Sequence, residues 1–160
     1  MRGEYSKALK SVAERPRGDI GYIEPLILLM LGDAAAAQRQ IQQNIDSTPD
    51  PRLRAYLESV HGLLENDRDA LRAAAEKLRP IRDPEALYYI ARALIKGGEV
   101  ELGVEFLEAV IPGFACVAML ERDPWLDPVR HGPRFRILLD AARSRQKMAA
   151  DLYARHSSFI

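Results

Sequence analysis

Apolar side chains recur along this chain at intervals of three and four residues. Leu53, Tyr56, Leu57, Val60 and Leu64 form one such row, and Leu87, Ile90, Ala91 and Leu94 form another. On a helix of about 3.6 residues per turn this spacing lines one face. No stretch alternates apolar and polar residues over a strand length with β-branched side chains, so the pattern predicts no sheet. Good helix formers (Ala, Leu, Arg and Glu) dominate. The breaks are placed consistently. Asp50-Pro51 and Asp83-Pro84 each set a capping carboxylate before a proline at a first helical turn. Gly32, Gly97-Gly98 and Gly113 stand where helices should stop. The segments between breaks run about 10 to 17 residues with short connections, which describes antiparallel helix hairpins.

Four turn signals pair a residue tolerant of left-handed dihedrals with an acidic capping residue: Gly3-Glu4, Gly32-Asp33, Asn66-Asp67 and Gly98-Glu99. Their separations are 29, 34 and 32 residues. Around them a small side chain recurs five positions after the turn residue, at Ala8, Ala37 and Gly103. Leu87, Ile90, Ala91 and Leu94 supply a large-large-small-large first helix, followed by Gly98, Gly103 and Leu107. Gly32-Asp33, Ala37, Ile41 and Pro49 supply a second helix and its terminal proline. With a period near 34, these features resemble the tetratricopeptide repeat, a helix pair that stacks into a solenoid. Residues 50–80 are less regular. Asn66 replaces the turn glycine, and His61 or Leu57 fills the small position of the first helix.

The resemblance implies an all-α fold: a right-handed superhelix of antiparallel helix hairpins with a C-terminal capping helix. The expected organisation is a single domain over 1–160. It comprises a partial leading repeat at 3–15, repeats at 20–49, 50–80 and 83–112, and a capping segment at 113–160. The leading unit begins at its second helix, which leaves Tyr5, Leu9 and Val12 as an apolar face. A fragment of a longer protein, or a second chain over that face, would account for it.

After residue 112 the pattern changes. Gly113-Phe114-Ala115-Cys116 leads a short helix ending near Leu120. Asp123-Pro124-Trp125-Leu126-Asp127-Pro128 reads as a turn and one helical turn. Pro133 opens a long helix with the stripe Phe135, Leu138, Leu139, Ala142, Ala149 and Leu152, and Phe159 near its end. The run from Arg122 to Arg130, with Pro133-Arg134-Phe135 and Leu138-Leu139, resembles the segment that closes tetratricopeptide regions of bacterial multidomain signalling proteins. These are serine/threonine kinases, winged-helix regulators and nucleotide cyclases. Val129 stands where leucine is common in them.

Composition narrows the function classes. Lys plus Arg and Asp plus Glu number 23 each, giving no global pull toward nucleic acid. The charge is segregated, however. Residues 1–129 carry 16 basic and 21 acidic side chains, and residues 130–160 carry seven and two. Apolar runs such as Leu26 to Leu31, six residues, fall far short of the about 20 of a membrane span. One cysteine, Cys116, fits a reducing compartment, so the expected location is the cytoplasm. His61, His131 and His156 show no metal-ligand spacing. Gly97-Gly98 lacks the following Lys-Ser or Lys-Thr of a phosphate loop. Asp50, Asp83, Asp123 and Asp127 precede proline, where capping accounts for them. Trp125 reads as a core plug and Cys116 as a small buried apolar group.

The expectation is therefore a non-catalytic scaffold, without metal or cofactor, that holds a protein or peptide in the groove lined by its first helices. As the resemblance implies, it would be an interaction or regulatory region of a larger bacterial signalling or transcription-regulatory protein. The groove positions are Tyr22, Leu26, Arg52, Ser59, Tyr88, Arg92 and Ile95, with Tyr88 and Arg92 foremost because Tyr and Arg are enriched at interface hot spots. The alternatives are nucleic-acid binding through Arg134, Arg143, Arg145 and Lys147 on the last helix, and self-association as a homodimer through the N-terminal or C-terminal helix.

Overall fold

The computed structural model describes residues 2–14, 21–113 and 116–157. Among them the chain is helical, with no strand. It divides into two compact units, one up to Leu78 and the other from Arg79. The first holds α1 (Arg2–Ala13), α2 (Ile23–Leu31), α3 (Ala34–Ser47), α4 (Pro51–Glu65) and α5 (Arg68–Leu78). The second holds α6 (Pro84–Lys96), α7 (Val100–Val110), α8 (Val117–Arg122), a 3-10 turn at Pro124–Leu126 and α9 (Pro133–Ser157). In the first unit each helix packs on the next, and in the second α6 packs on α7 and on the 3-10 turn.

Three hairpins, α2/α3, α4/α5 and α6/α7, are closed by one and the same turn. Its pivot is a left-handed residue: Gly32 at φ 87°, Asn66 at φ 55° and Gly98 at φ 88°. The residue after each pivot donates its N–H five residues back. Asp33 bonds to Leu28 O, Asp67 to Gly62 O and Glu99 to Leu94 O, at 3.0, 2.8 and 2.9 Å. The pivot N–H bonds to Leu29, Leu63 and Ile95 O respectively. This Schellman geometry satisfies carbonyls that a helix end leaves without partners, and it needs positive φ, hence Gly or Asn. Asp33 and Asp67 then cap the following helix by accepting from Ala36 N at 3.0 Å and Ala70 N at 2.9 Å.

Aligned on the pivot, the core positions coincide. Five residues after it stand Ala37, Leu71 and Gly103, and nine after it Ile41, Ala75 and Leu107, all buried. Seven before it stand Pro25, Ser59 and Ala91, also buried. The small position of α4 is thus Ser59, rather than His61 or Leu57. Ser59 stays small and pairs its hydroxyl internally, donating to Tyr56 O at 2.6 Å. Close approach between paired helices relies on a glycine in two of the hairpins. A Cβ on Gly103 would lie 2.9 Å from Ala91 O and 3.1 Å from Ile95 N. In α4/α5, where Leu71 replaces glycine on the second helix, the gap is supplied by Gly62 on the first. A Cβ there would lie 3.0 Å from Leu71 N.

Aspartate before proline starts three elements alike. Asp50, Asp83 and Asp123 accept from the N–H two residues on, at 2.8, 2.9 and 2.9 Å. Asp127 does not cap a helix. Its carboxylate accepts from Arg130 Nε and Nη2 at 2.9 and 2.8 Å.

The long helix departs from expectation. Phe135, Leu138 and Ala142 are buried, but Ala149 and Leu152 are exposed, and every described side chain from Arg143 to His156 faces solvent. The packing covers about three turns, over which α9 lies against α7 and the short α8, and the rest of its 25 residues run past them. Phe159 lies outside the described residues. Tyr5, Leu9 and Val12 are half-buried.

Candidate functional site

The expected groove residues fall four in the first unit and three in the second. Arg52 is exposed, with its guanidinium 3.2 Å from Asp50, and this contact holds the Asp50 carboxyl below the usual carboxylate range. Tyr22 is half-buried, its ring edge-on to Tyr56 at 5.6 Å between centroids. Leu26, Ser59, Tyr88, Arg92 and Ile95 are buried. Ile95 packs where a Gly103 side chain would be. Their burial leaves Tyr22 and Arg52 as the solvent-reaching members of the set.

In the second unit the chain supplies its own occupant for the face of α6. Asp123 binds both residues singled out from the sequence. The Tyr88 hydroxyl donates to Oδ2 at 2.7 Å, and Arg92 Nη2 donates to Oδ1 at 3.2 Å. Arg92 Nε sits 2.7 Å from Oδ2, off the line of a good hydrogen bond. The guanidinium lies 4.3 Å from the Trp125 ring centroid and 5.9 Å from that of Tyr89. A carboxylate, a cation and two rings thus close one desolvated cluster, in which cation–π attraction is stronger than at an exposed site. Burial and then the Asp123 charge push the Tyr88 hydroxyl pKa well above its ordinary value. Trp125 is buried as expected, while Cys116 is half-buried.

A clasp keeps that segment in place. Arg130 Nη1 donates to Leu120 O at 3.1 Å and to Glu121 O, and Nη2 donates to Asp123 O at 2.7 Å. Leu120 and Glu121 belong to the last turn of α8, where carbonyls run out of helical N–H partners, and Asp123 O at the cap also accepts from Leu126 N at 3.1 Å. One planar guanidinium satisfies three of them and Asp127 together, a fit for the forked donor geometry of arginine.

One register and one cleft escaped the sequence reading. Tyr22 and Tyr88 were singled out as groove positions and Tyr56 as part of an apolar row, but counting ten back from each pivot finds all three, one tyrosine per hairpin. That signal was available once the pivots were aligned. The cleft, of about 250 Å³ in the first unit, is lined by Ile45, Glu58, His61, Ala70, Ala73, Ala74 and Lys77, with Lys77 Nζ 2.7 Å from Glu58. It joins three helices and no local spacing announces it.

The basic helix is partly neutralised. Arg134 pairs with Glu101 at 2.8 Å and Glu108 at 2.7 Å, and Arg143 with Glu121 at 2.6 Å and Asp140 at 3.2 Å. At about 100° per residue, Arg134 and Arg145 lie on one side of α9 and Arg143 and Lys147 on the other. Among the described residues no group of three His, Cys, Asp or Glu could hold a metal ion, and no helix is long and apolar enough to cross a membrane. Comparison of the chain with known protein families, curated proteins and solved structures finds no match.

Proposed function

We propose that this chain is a tetratricopeptide-like interaction scaffold: a solenoid of helix hairpins, closed at its C-terminal side by residues 113–160, that binds a protein or peptide without catalysis. The observation that carries the reading is the threefold recurrence of one Schellman turn, 34 and 32 residues apart, with buried residues in matching register around it. Stacked repeats present preformed surfaces, and a preformed surface lowers the ordering cost of binding. The closing segment also resembles that of bacterial signalling proteins, which supports a role as an interaction or regulatory region in the cytoplasm. The ligand-facing part belongs to the first unit, at Tyr22 and Arg52, because in the second unit Asp123 and Trp125 fill the corresponding face of α6.

The test is selection from a displayed peptide library on the 160-residue chain, followed by titration of the selected peptides against variants. Loss of affinity with Arg52→Glu or Tyr22→Ala, and none with Arg122→Glu on α8, supports the reading. Failure to select any peptide, or insensitivity to both first-unit changes, refutes it.

A further inference from the structure

The solvent side of α9 carries a second apolar row, distinct from the one that packs. Ile137 and Met148 are 69% and 64% exposed and Leu152 is 54% exposed. With exposed Ala141 they stand at spacings of 4, 7 and 4 residues. At about 100° per residue these four fall within a stripe roughly 60° wide, about 100° round the helix from Phe135, Leu138 and Ala142. Ile137 and Ala141 stand on the solvent side of the packed turns, and Met148 and Leu152 continue the stripe into the part of α9 where every described side chain is exposed. A helix of about 12–15 residues is marginal in water by itself, and most helical stability in proteins comes from packing an apolar face. A long exposed stretch with large apolar groups in register is therefore suited to a partner.

The seam also contains charge. Arg145 sits beside Met148 and Leu152 in projection, and Arg155 falls in line with them at the far end. From Arg143 to Ser157 the helix has four basic side chains against one acidic, Asp151. A second copy is disfavoured by this arrangement. The 4-7-4 spacing would centre an antiparallel self-pair between residues 144 and 145, laying Arg145 against its own copy. Like charges at such a contact are destabilising.

We propose that α9 from Ile137 to Arg155 is a docking surface for an acidic amphipathic helix of another protein, apolar groups meeting Ile137, Ala141, Met148 and Leu152 and carboxylates meeting Arg145 and Arg155. This is helix-on-helix recognition with charge setting partner choice. It stands on α9 alone and does not rest on the repeat reading.

The experiment titrates the 160-residue chain with a peptide of about four heptads carrying leucine at a and d and glutamate at e and g, and with its lysine counterpart. Binding of the glutamate peptide should be at least about tenfold tighter, and should weaken as salt rises from about 50 to 500 mM. Met148→Gln with Leu152→Gln should weaken it by about tenfold or more. Arg145→Glu leaves the apolar row intact and should reverse the preference toward the lysine peptide, so the proposal does not hang on one variant. Circular dichroism checks that each variant keeps its helix. Equal affinity for both peptides, or none up to about 100 μM, overturns the proposal. So does sedimentation showing a dimer that the Met148 and Leu152 changes dissolve, since a second copy would then be the occupant. Binding to anionic vesicles or duplex DNA that the same changes leave intact also overturns it.

Discussion

Replacing Gly103 with alanine should destabilise the second unit, although the same change in an ordinary helix interior stabilises by about 1 kcal/mol. The reason is the distance between α6 and α7. An alanine Cβ would stand 2.9 Å from Ala91 O and 3.1 Å from Ile95 N, both backbone atoms, and 2.5 Å from Ile95 Cγ1. Ile95 can turn its side chain, but the backbone atoms move only if α6 shifts as a whole. Overpacking of this kind costs about 1–3 kcal/mol. With two backbone contacts too close, the clash outweighs the gain in helix propensity, and the expected net loss is about 1–2 kcal/mol. At about 2–4 °C per kcal/mol for a chain of this size, Tm should fall by about 2–8 °C. Thermal unfolding is followed by far-ultraviolet circular dichroism and by Trp125 fluorescence, which reports on the second unit because the ring is buried there. A melting temperature equal to or above that of the parent chain would refute the close approach of the two helices.

Asp123→Asn keeps an acceptor for Trp125 N and Tyr88 but removes the charge opposite buried Arg92, so it should cost about 3–5 kcal/mol by denaturant titration; a change under 1 kcal/mol would show the pair to be hydrated. Folded Tyr88 holds its proton above the ordinary value of 10.0. Stability should therefore be level to about pH 9 and decline as the unfolded chain ionises past pH 10, and Tyr88→Phe should shallow that decline, leaving a residue from Tyr89, which is shifted the same way by burial. An alkaline slope identical in both chains contradicts the cluster. Trp125→Ala should cost about 3–5 kcal/mol, read from chemical denaturation by circular dichroism, and a solvent-exposed emission maximum in the parent chain would count against its burial. Asn66→Gly should stabilise the α4/α5 turn by about 0.5–1 kcal/mol, because glycine enters the left-handed region without a Cβ penalty; an unchanged or lowered midpoint would mean that the Asn66 side chain serves the turn.

Much of this architecture was legible in the order of residues. Turn chemistry is local: a left-handed residue followed by an acidic one ends one helix and begins the next, and Gly32-Asp33, Asn66-Asp67 and Gly98-Glu99 mark the hairpins without reference to anything distant. Aspartate before proline is equally local, and it located the starts of α4, α6 and the 3-10 turn. The three-four spacing showed which side of α6 is apolar, and the change of pattern after residue 112 separated the closing segment. Exposure was another matter. Tyr88 and Arg92 lie one turn apart on a first helix and read as ligand-facing, yet Asp123 and Trp125, more than 30 residues later, cover them. No spacing within α6 encodes that partner, because a long-range contact depends on where the intervening chain returns. Arg130 looked like one charge among many until three carbonyl oxygens converged on it. For α9, periodicity fixed the helix and its apolar residues, but periodicity carries no information about the length of the neighbour. Its neighbours α7 and α8, of 11 and six residues, cover only the first turns of α9, and Met148 and Leu152 stand in solvent.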